Sequence, residues 1–132
     1  MAKYVWYANE EPTWAFRHEY PVGHPNAGEA VDYTTASAWS LKLVAWPGRG
    51  TTALEKTSNI AGYSDTSPPD GYTAADRPPN VIAVFSSGEL ASVTPGTYFI
   101  ECTPTVSGSQ PTTLGKPNPD IVEIRAAAPA VA

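Results

Sequence analysis

Thr94 to Thr103 reads T-P-G-T-Y-F-I-E-C-T. A Pro-Gly pair turns the chain, since proline fixes φ and glycine takes up backbone angles that other residues resist. After the turn the residues alternate: Tyr98, Ile100 and Cys102 recur at every second position, so an extended chain puts them on one face. A turn leading at once into such a strand is the pattern of a late inner strand in a small β-sandwich. The stretch predicts an all-β fold.

Neighbouring segments extend the pattern. After the polar loop S-G-S-Q-P-T-T-L-G-K-P-N-P comes D-I-V-E-I-R, with Val122 and Ile124 opposite Glu123 and Arg125, so the last two strands are expected to form a hairpin. Upstream, A-W-S-L-K-L-V-A-W-P-G sets Trp39, Leu41 and Leu43 against Ser40 and Lys42 until Pro47-Gly48 stops it. From Trp14 to Val22, the positions Trp14, Phe16, His18, Tyr20 and Val22 share one face. Asn80 to Phe85, N-V-I-A-V-F, is apolar on both sides and predicts a central strand covered on both faces. With an early strand at Tyr4 to Tyr7, six or seven strands separated by turns add up to a single antiparallel β-sandwich. Helix is confined to a turn at Ser87 to Ala91, and the stretch from Gly28 to Ala38 could contain another. The expected core is Trp14, Phe16, Trp39, Leu41, Leu43, Tyr98, Ile100, Cys102, Val122 and Ile124.

Composition narrows the function classes. The chain has 132 residues, enough for one domain with its own core, and is rich in turn formers, with 14 prolines and 10 glycines. A net charge of -5 and a pI near 4.8 give no electrostatic footprint for phosphate backbones, which argues against nucleic acid. The single cysteine, Cys102, excludes an internal disulfide and a multi-thiolate zinc site and reads as a small buried hydrophobe. The start, M-A-K-Y-V-W-Y-A-N-E-E-P, lacks the apolar run of a signal peptide, and no stretch approaches the ~20 apolar residues of a membrane span. The expectation is a soluble protein made in the cytoplasm.

Motifs for catalysis are missing: no G-x-S-x-G, Walker loop, G-x-G-x-x-G or H-E-x-x-H occurs. His18 and His24 could share a metal with Asp32 only if the chain folded back on itself, and a lone histidine on an aromatic strand face reads as a hydrogen-bonded core residue. Glu10-Glu11 beside Pro12 reads as solvated surface. No enzyme, metal or cofactor is expected. The connection from Lys56 to Val81 is longer than the ~12–15 residues of ordinary loops, so it either carries function, moves, or hides a short strand. Asp65, Asp70 and Asp76 in it do not have the spacing of a calcium loop, and Asp70-Gly71 and the Pro-Pro pairs supply turn chemistry. Tyr63 and Tyr72 read as contact aromatics, because tyrosine buries large area at small entropic cost. The aromatic K-Y-V-W-Y and the apolar tail A-A-A-P-A-V-A read either as an edge strand and a frayed end or as arms on a neighbouring subunit.

The order W-S-L-K-L-V-A-W-P-G, then L-A-S-V-T-P-G-T-Y-F-I-E-C-T-P, then D-I-V-E-I-R resembles the small immunoglobulin-like domains of tailed-phage virion proteins, of the head-decoration or the upper-baseplate and minor-tail type. The resemblance covers roughly Ala38 to Arg125. It implies an immunoglobulin-like sandwich over residues 1–125 with a long Pro/Gly-rich loop, followed by a small apolar tail at 126–132. The implied role is a non-enzymatic structural protein of the virion, present in many symmetric copies and bound to major capsid or tail protein subunits. The contact residues expected on that basis are Tyr4, Trp6, Tyr7, Tyr63, Tyr72 and Val131. A carbohydrate-binding module, with Trp46, Tyr63 and Tyr72 as a sugar-stacking platform, is the alternative.

Overall fold

The computed structural model describes residues 3–46, 51–86, 88–108, 113–114 and 119–126. Among them run eight strands: β1 (Lys3–Tyr7), β2 (Thr13–Phe16), β3 (Ala38–Ala45), β4 (Thr52–Lys56), β5 (Ile60–Gly62), β6 (Val81–Val84), β7 (Gly96–Thr105) and β8 (Ile121–Arg125). They form two sheets, five strands in the order β1-β8-β7-β3-β4 and three in the order β2-β6-β5. The fold is all-β, with two mostly antiparallel sheets.

The Thr94–Thr103 stretch lies at the centre of the larger sheet. Its strand β7 pairs with β3 along the whole of β3, from Ala38↔Thr105 to Ala45↔Tyr98, and with β8 from Gly96↔Ile124 to Phe99↔Ile121. Tyr98 ties the strand back to its own turn by donating its hydroxyl to the Thr94 carbonyl. Alternation then does what period two requires: Tyr98, Ile100 and Cys102 enter the core with Leu41 and Leu43 of β3 and Val122 and Ile124 of β8. The smaller sheet meets them with Trp14, Val81 and Ala83, so both sheets contribute to one hydrophobic core. Each fully buried aliphatic side chain of this set contributes about 1.5–3 kcal/mol relative to exposure. Phe16 packs against the core from a partly buried position.

Three expectations are corrected. The pairing is not antiparallel throughout: β1 runs parallel to β8, from Lys3↔Ile121 to Tyr7↔Arg125. Parallel neighbours need a crossover, and here nearly all of the intervening chain provides it. The strand expected from Trp14 to Val22 ends at Phe16. Beyond it, the backbone N–H and C=O of His18 bond to the side chain of Asn80 instead of a neighbouring strand, and a Glu19↔Ala30 bridge folds the chain back, leaving Val22 fully exposed. The strand expected over Asn80 to Phe85 is central but covered on one face only, since Val84 is 42% exposed. Of the readings open for the long connection from Lys56 to Val81, the hidden short strand is present: it contains β5, and also a 3-10 turn at Ala74–Asp76, whose start Asp76 holds by accepting the Thr73 N–H at 2.8 Å.

Pro47-Gly48 and Ser87 fall outside the described residues, and Gly88 to Ala91 forms a turn. Between β7 and β8 the chain sends Leu114 into the core, its N–H donating to the Cys102 carbonyl at 2.7 Å.

Candidate interaction surfaces

The polar residues that could carry chemistry are engaged in holding the loops. Asn80, almost wholly buried, accepts the His18 N–H at 2.8 Å and donates to the carbonyls of His18 at 2.9 Å and Val31 at 2.7 Å. It acts as a piece of strand backbone where no strand runs. Arg17 donates to both carboxylate oxygens of Asp65, at 2.8 and 3.1 Å, to Glu19 at 2.6 Å and to the Pro78 carbonyl at 2.8 Å. One guanidinium thereby ties the end of β2 to the long connection. Its hydrogen bonds are the chief reason that Asp65 and Glu19 sit below the usual carboxylate range. Asp120, also buried, accepts Trp14 Nε1–H at 2.9 Å and the Tyr4 hydroxyl at 3.4 Å.

Lys56 is buried with its ammonium on the Ser58 and Val84 carbonyls, 3.6 Å from Glu89 and over the Phe85 ring. Cys102 is buried, and desolvation pushes its thiol up to about 12, so it stays protonated and packs as a hydrophobe.

The histidines and aspartates weighed as metal ligands, Asp70 apart, have other partners. His18 Nδ1 meets the Tyr33 hydroxyl at 2.6 Å, whereas His24 stacks on Tyr20 and accepts the Asn26 N–H, and Asp32 accepts from Thr34. Asp65 is taken by Arg17, and Asp76 caps its own turn. Among the described residues no group of three or more His, Cys, Asp or Glu could hold a metal ion. Glu10 accepts the Tyr7 N–H at 2.7 Å, closing the turn after β1.

His18 makes stability depend on pH. Burial lowers its pKa below the ordinary 6.5. Below about 6.5 the unfolded chain takes up a proton that the folded chain resists, so stability is complete above that pH and falls as the solution is acidified. The carboxylates of Asp65 and Glu19, lowered as well, add a separate loss that begins only below about 4.5. Urea midpoints measured between pH 7.5 and 5 are expected to decline for the native chain and to decline less for His18→Gln. Equal slopes in the two proteins would show that His18 is not the group responsible.

The expected contact residues divide. Tyr72 is exposed, Tyr63 and Tyr7 are half-buried, and Arg125 lies 6.0 Å over the Tyr7 ring. Tyr4 packs partly against the core. Trp6 is a correction: it is 6% exposed and rests on Phe85, with ring centroids 5.0 Å apart, because its position in β1 faces inward. Val131 lies outside the described residues.

Two surfaces escaped the sequence reading. On the outer face of the larger sheet, Val44, Phe99 and Ile121 form a second apolar cluster, and Trp46, 44% exposed, tilts against Phe99 at 4.6 Å. On the outer face of the smaller sheet, Ile82 and Val84 stand beside a groove of about 460 Å³ lined also by Asn59, Ile60, Ala61 and Tyr63. The V-I-A-V alternation was the available signal, but it reads equally as a strand buried on both sides. These placements also divide the sugar platform: Trp46 belongs to the outer face of one sheet, and Tyr63 borders that of the other.

Comparison with family models, with curated proteins and with solved structures finds no match to this chain.

Proposed function

We propose that the chain is a non-enzymatic structural module of a tailed-phage virion: an immunoglobulin-like sandwich that sits in many symmetric copies and binds major capsid or tail protein subunits. The strand arrangement supports the fold part of this reading. Immunoglobulin-type sandwiches set their second, fifth and fourth strands in one sheet against a sheet built on the last, sixth and third. Counting β1 as the first strand, β2-β6-β5 and β8-β7-β3 repeat that order, with β4 added at the edge. The Tyr98 hydroxyl bonded back to Thr94 matches the tyrosine corner of such folds, and Trp39 on β3 occupies the core as their third-strand tryptophan does.

One observation carries the binding role. Among the described residues no buried side-chain nitrogen or oxygen lacks a hydrogen-bond partner, while Val5, Trp46, Tyr72 and Val84 remain exposed. The buried polar groups are spent on the fold, and this reading assigns the exposed apolar side chains to partner contacts. Rigid modules of this kind gain avidity from repetition, so each contact can be weak.

Quantitative mass spectrometry of purified particles tests the reading. The expected result is this chain at a fixed ratio to the major capsid protein, near one for a head position and one or two orders of magnitude lower for a tail position. Its absence from particles overturns the reading. Since Trp6 belongs to the core, contacts of the N-terminal segment are tested by Val5→Glu and not by deleting the strand.

A further inference from the structure

We infer that Asp70-Gly71 is a self-modification site, at which the folded chain converts Asp70 to isoaspartate through a cyclic imide. The chain has five aspartates, and four have their carboxylates occupied. Asp32 accepts from the N–H and hydroxyl of Thr34, Asp65 from Arg17 and the Ala30 N–H, Asp76 from Thr73, and Asp120 from Trp14 and Tyr4. Asp70 is exposed, and nothing among the described residues donates to its carboxylate.

The following residue singles out the same position. Tyr33, Thr66, Arg77 and Ile121 come after the other four aspartates, and each carries a Cβ that crowds its backbone nitrogen. Gly71 has none. It is exposed, its φ is +88°, nothing lies within 4 Å of where a Cβ would stand, and its N–H donates to no described residue. The attacking nitrogen and the carboxyl carbon are therefore both unengaged in one turn, which the Tyr72 N–H closes on the Pro69 carbonyl at 3.1 Å.

The reaction needs only the chain and water. The Gly71 nitrogen bonds to Asp70 Cγ, and one oxygen of the protonated carboxyl leaves as water, carrying its own proton and the one from the nitrogen. Closure is intramolecular, so no second molecule has to be brought in. Water then adds back to either carbonyl of the five-membered imide. Opening at Cγ restores aspartate. Opening at the main-chain carbonyl leaves the backbone running through Cβ and Cγ with a free carboxylate on Cα, which is isoaspartate. Mass is unchanged overall, and nothing is oxidised or reduced.

The turn determines the consequence. An extra methylene in the main chain lengthens the path from Pro69 to Tyr72, so the hydrogen bond between them is lost and the exposed Tyr72 ring is displaced. The site lies between β5 and the 3-10 turn, outside both sheets, so the core keeps its packing. This property goes beyond the virion role and does not depend on it.

Incubation of the folded chain at 37 °C and about pH 6, followed by tandem mass spectrometry that breaks the Cα–Cβ bond of isoaspartate, tests the assignment. Isoaspartate is expected at Asp70 before any of the other four aspartates, by way of a species lighter by one water. Its rate is expected to lie within about tenfold of that of the same chain unfolded in guanidinium chloride, because the fold shields neither group. Asp70→Glu, which has to close a larger ring, and Gly71→Ala, whose methyl crowds the nitrogen, are each expected to slow the reaction at least tenfold. Isoaspartate appearing first at another aspartate, a folded rate more than tenfold below the unfolded one, or no slowing in either variant would each overturn the proposal.

Discussion

Trp14→Ala is expected to lower the urea midpoint of the fold by roughly half. Trp14 is almost wholly buried, stacks on Phe16 at 5.4 Å and donates Nε1–H to Asp120 at 2.9 Å. Removing a core tryptophan costs about 3–5 kcal/mol in transfer and cavity terms. Losing its hydrogen bond to a buried carboxylate adds about 1.5–3 kcal/mol. The sum, about 4.5–8 kcal/mol, is on the order of half of the ~5–15 kcal/mol by which domains are stable, so the variant unfolds at a much lower urea concentration than the native chain. Trp14→Phe keeps most of the volume and loses the bond, and its loss is expected to be roughly half as large. Urea titration followed by far-UV circular dichroism measures both. A Trp14→Ala midpoint close to the native value would mean that the two sheets do not depend on this contact.

Gly62→Ala has the second large effect. A Cβ built at Gly62 overlaps the Tyr33 carbonyl oxygen outright and comes 2.7 Å from Tyr33 Cβ. Backbone cannot move aside as a side-chain tip does, and Tyr33 is held on several sides. Its N–H donates to the Tyr63 carbonyl, its hydroxyl meets His18, and its ring lies edge-on to Trp39 at 5.7 Å. The methyl group must therefore shift β5 off β6 or pull Tyr33 from the core. The expected cost is about 3 kcal/mol or more, at the top of the range for overpacking. Gly71→Ala is the comparison: its φ of +88° strains any larger residue, but nothing lies within 4 Å, so about 1–2 kcal/mol is expected. Equal losses at the two sites would mean that backbone strain, and not the clash with Tyr33, decides both.

The strands that could be read from the sequence are those whose two faces differ. In A-W-S-L-K-L and T-Y-F-I-E-C the inward residues are large and the outward ones include charges, and these became β3 and β7. β4 was missed because T-A-L-E-K ends on a lysine, and Lys56 reads as surface until its ammonium is found on backbone carbonyls and over the Phe85 ring. β5 is three residues long and ends on Gly62, so it has no periodicity to detect. The segment from Trp14 to Val22 keeps its alternation past Phe16 although the sheet stops there. The cause is Asn80, a long-range side-chain partner that no local pattern reveals.

Surfaces were harder to read than strands. An aromatic in an edge strand can face either way, and the parity that turned Trp6 inward was set by pairing with β8, far along the chain. The face carrying Ile82 and Val84 was hidden for a related reason: an apolar residue facing solvent and one facing a covering layer look the same in a sequence. The polar clusters that resemble candidate chemistry in the sequence proved to be loop fasteners, which depend on pairings across tens of residues.

The parallel pairing of β1 with β8 has a mechanical consequence. The chain enters this ladder at Lys3, opposite Ile121, and leaves it at Arg125, opposite Tyr7, so the two points of attachment lie at opposite ends of the same pair. Tension transmitted through the flanking chain would slide one strand along the other, loading the hydrogen bonds of the ladder together instead of opening them one after another. A module wired in this way yields late and abruptly under pull, at a rate set by its barrier to unfolding more than by its equilibrium stability.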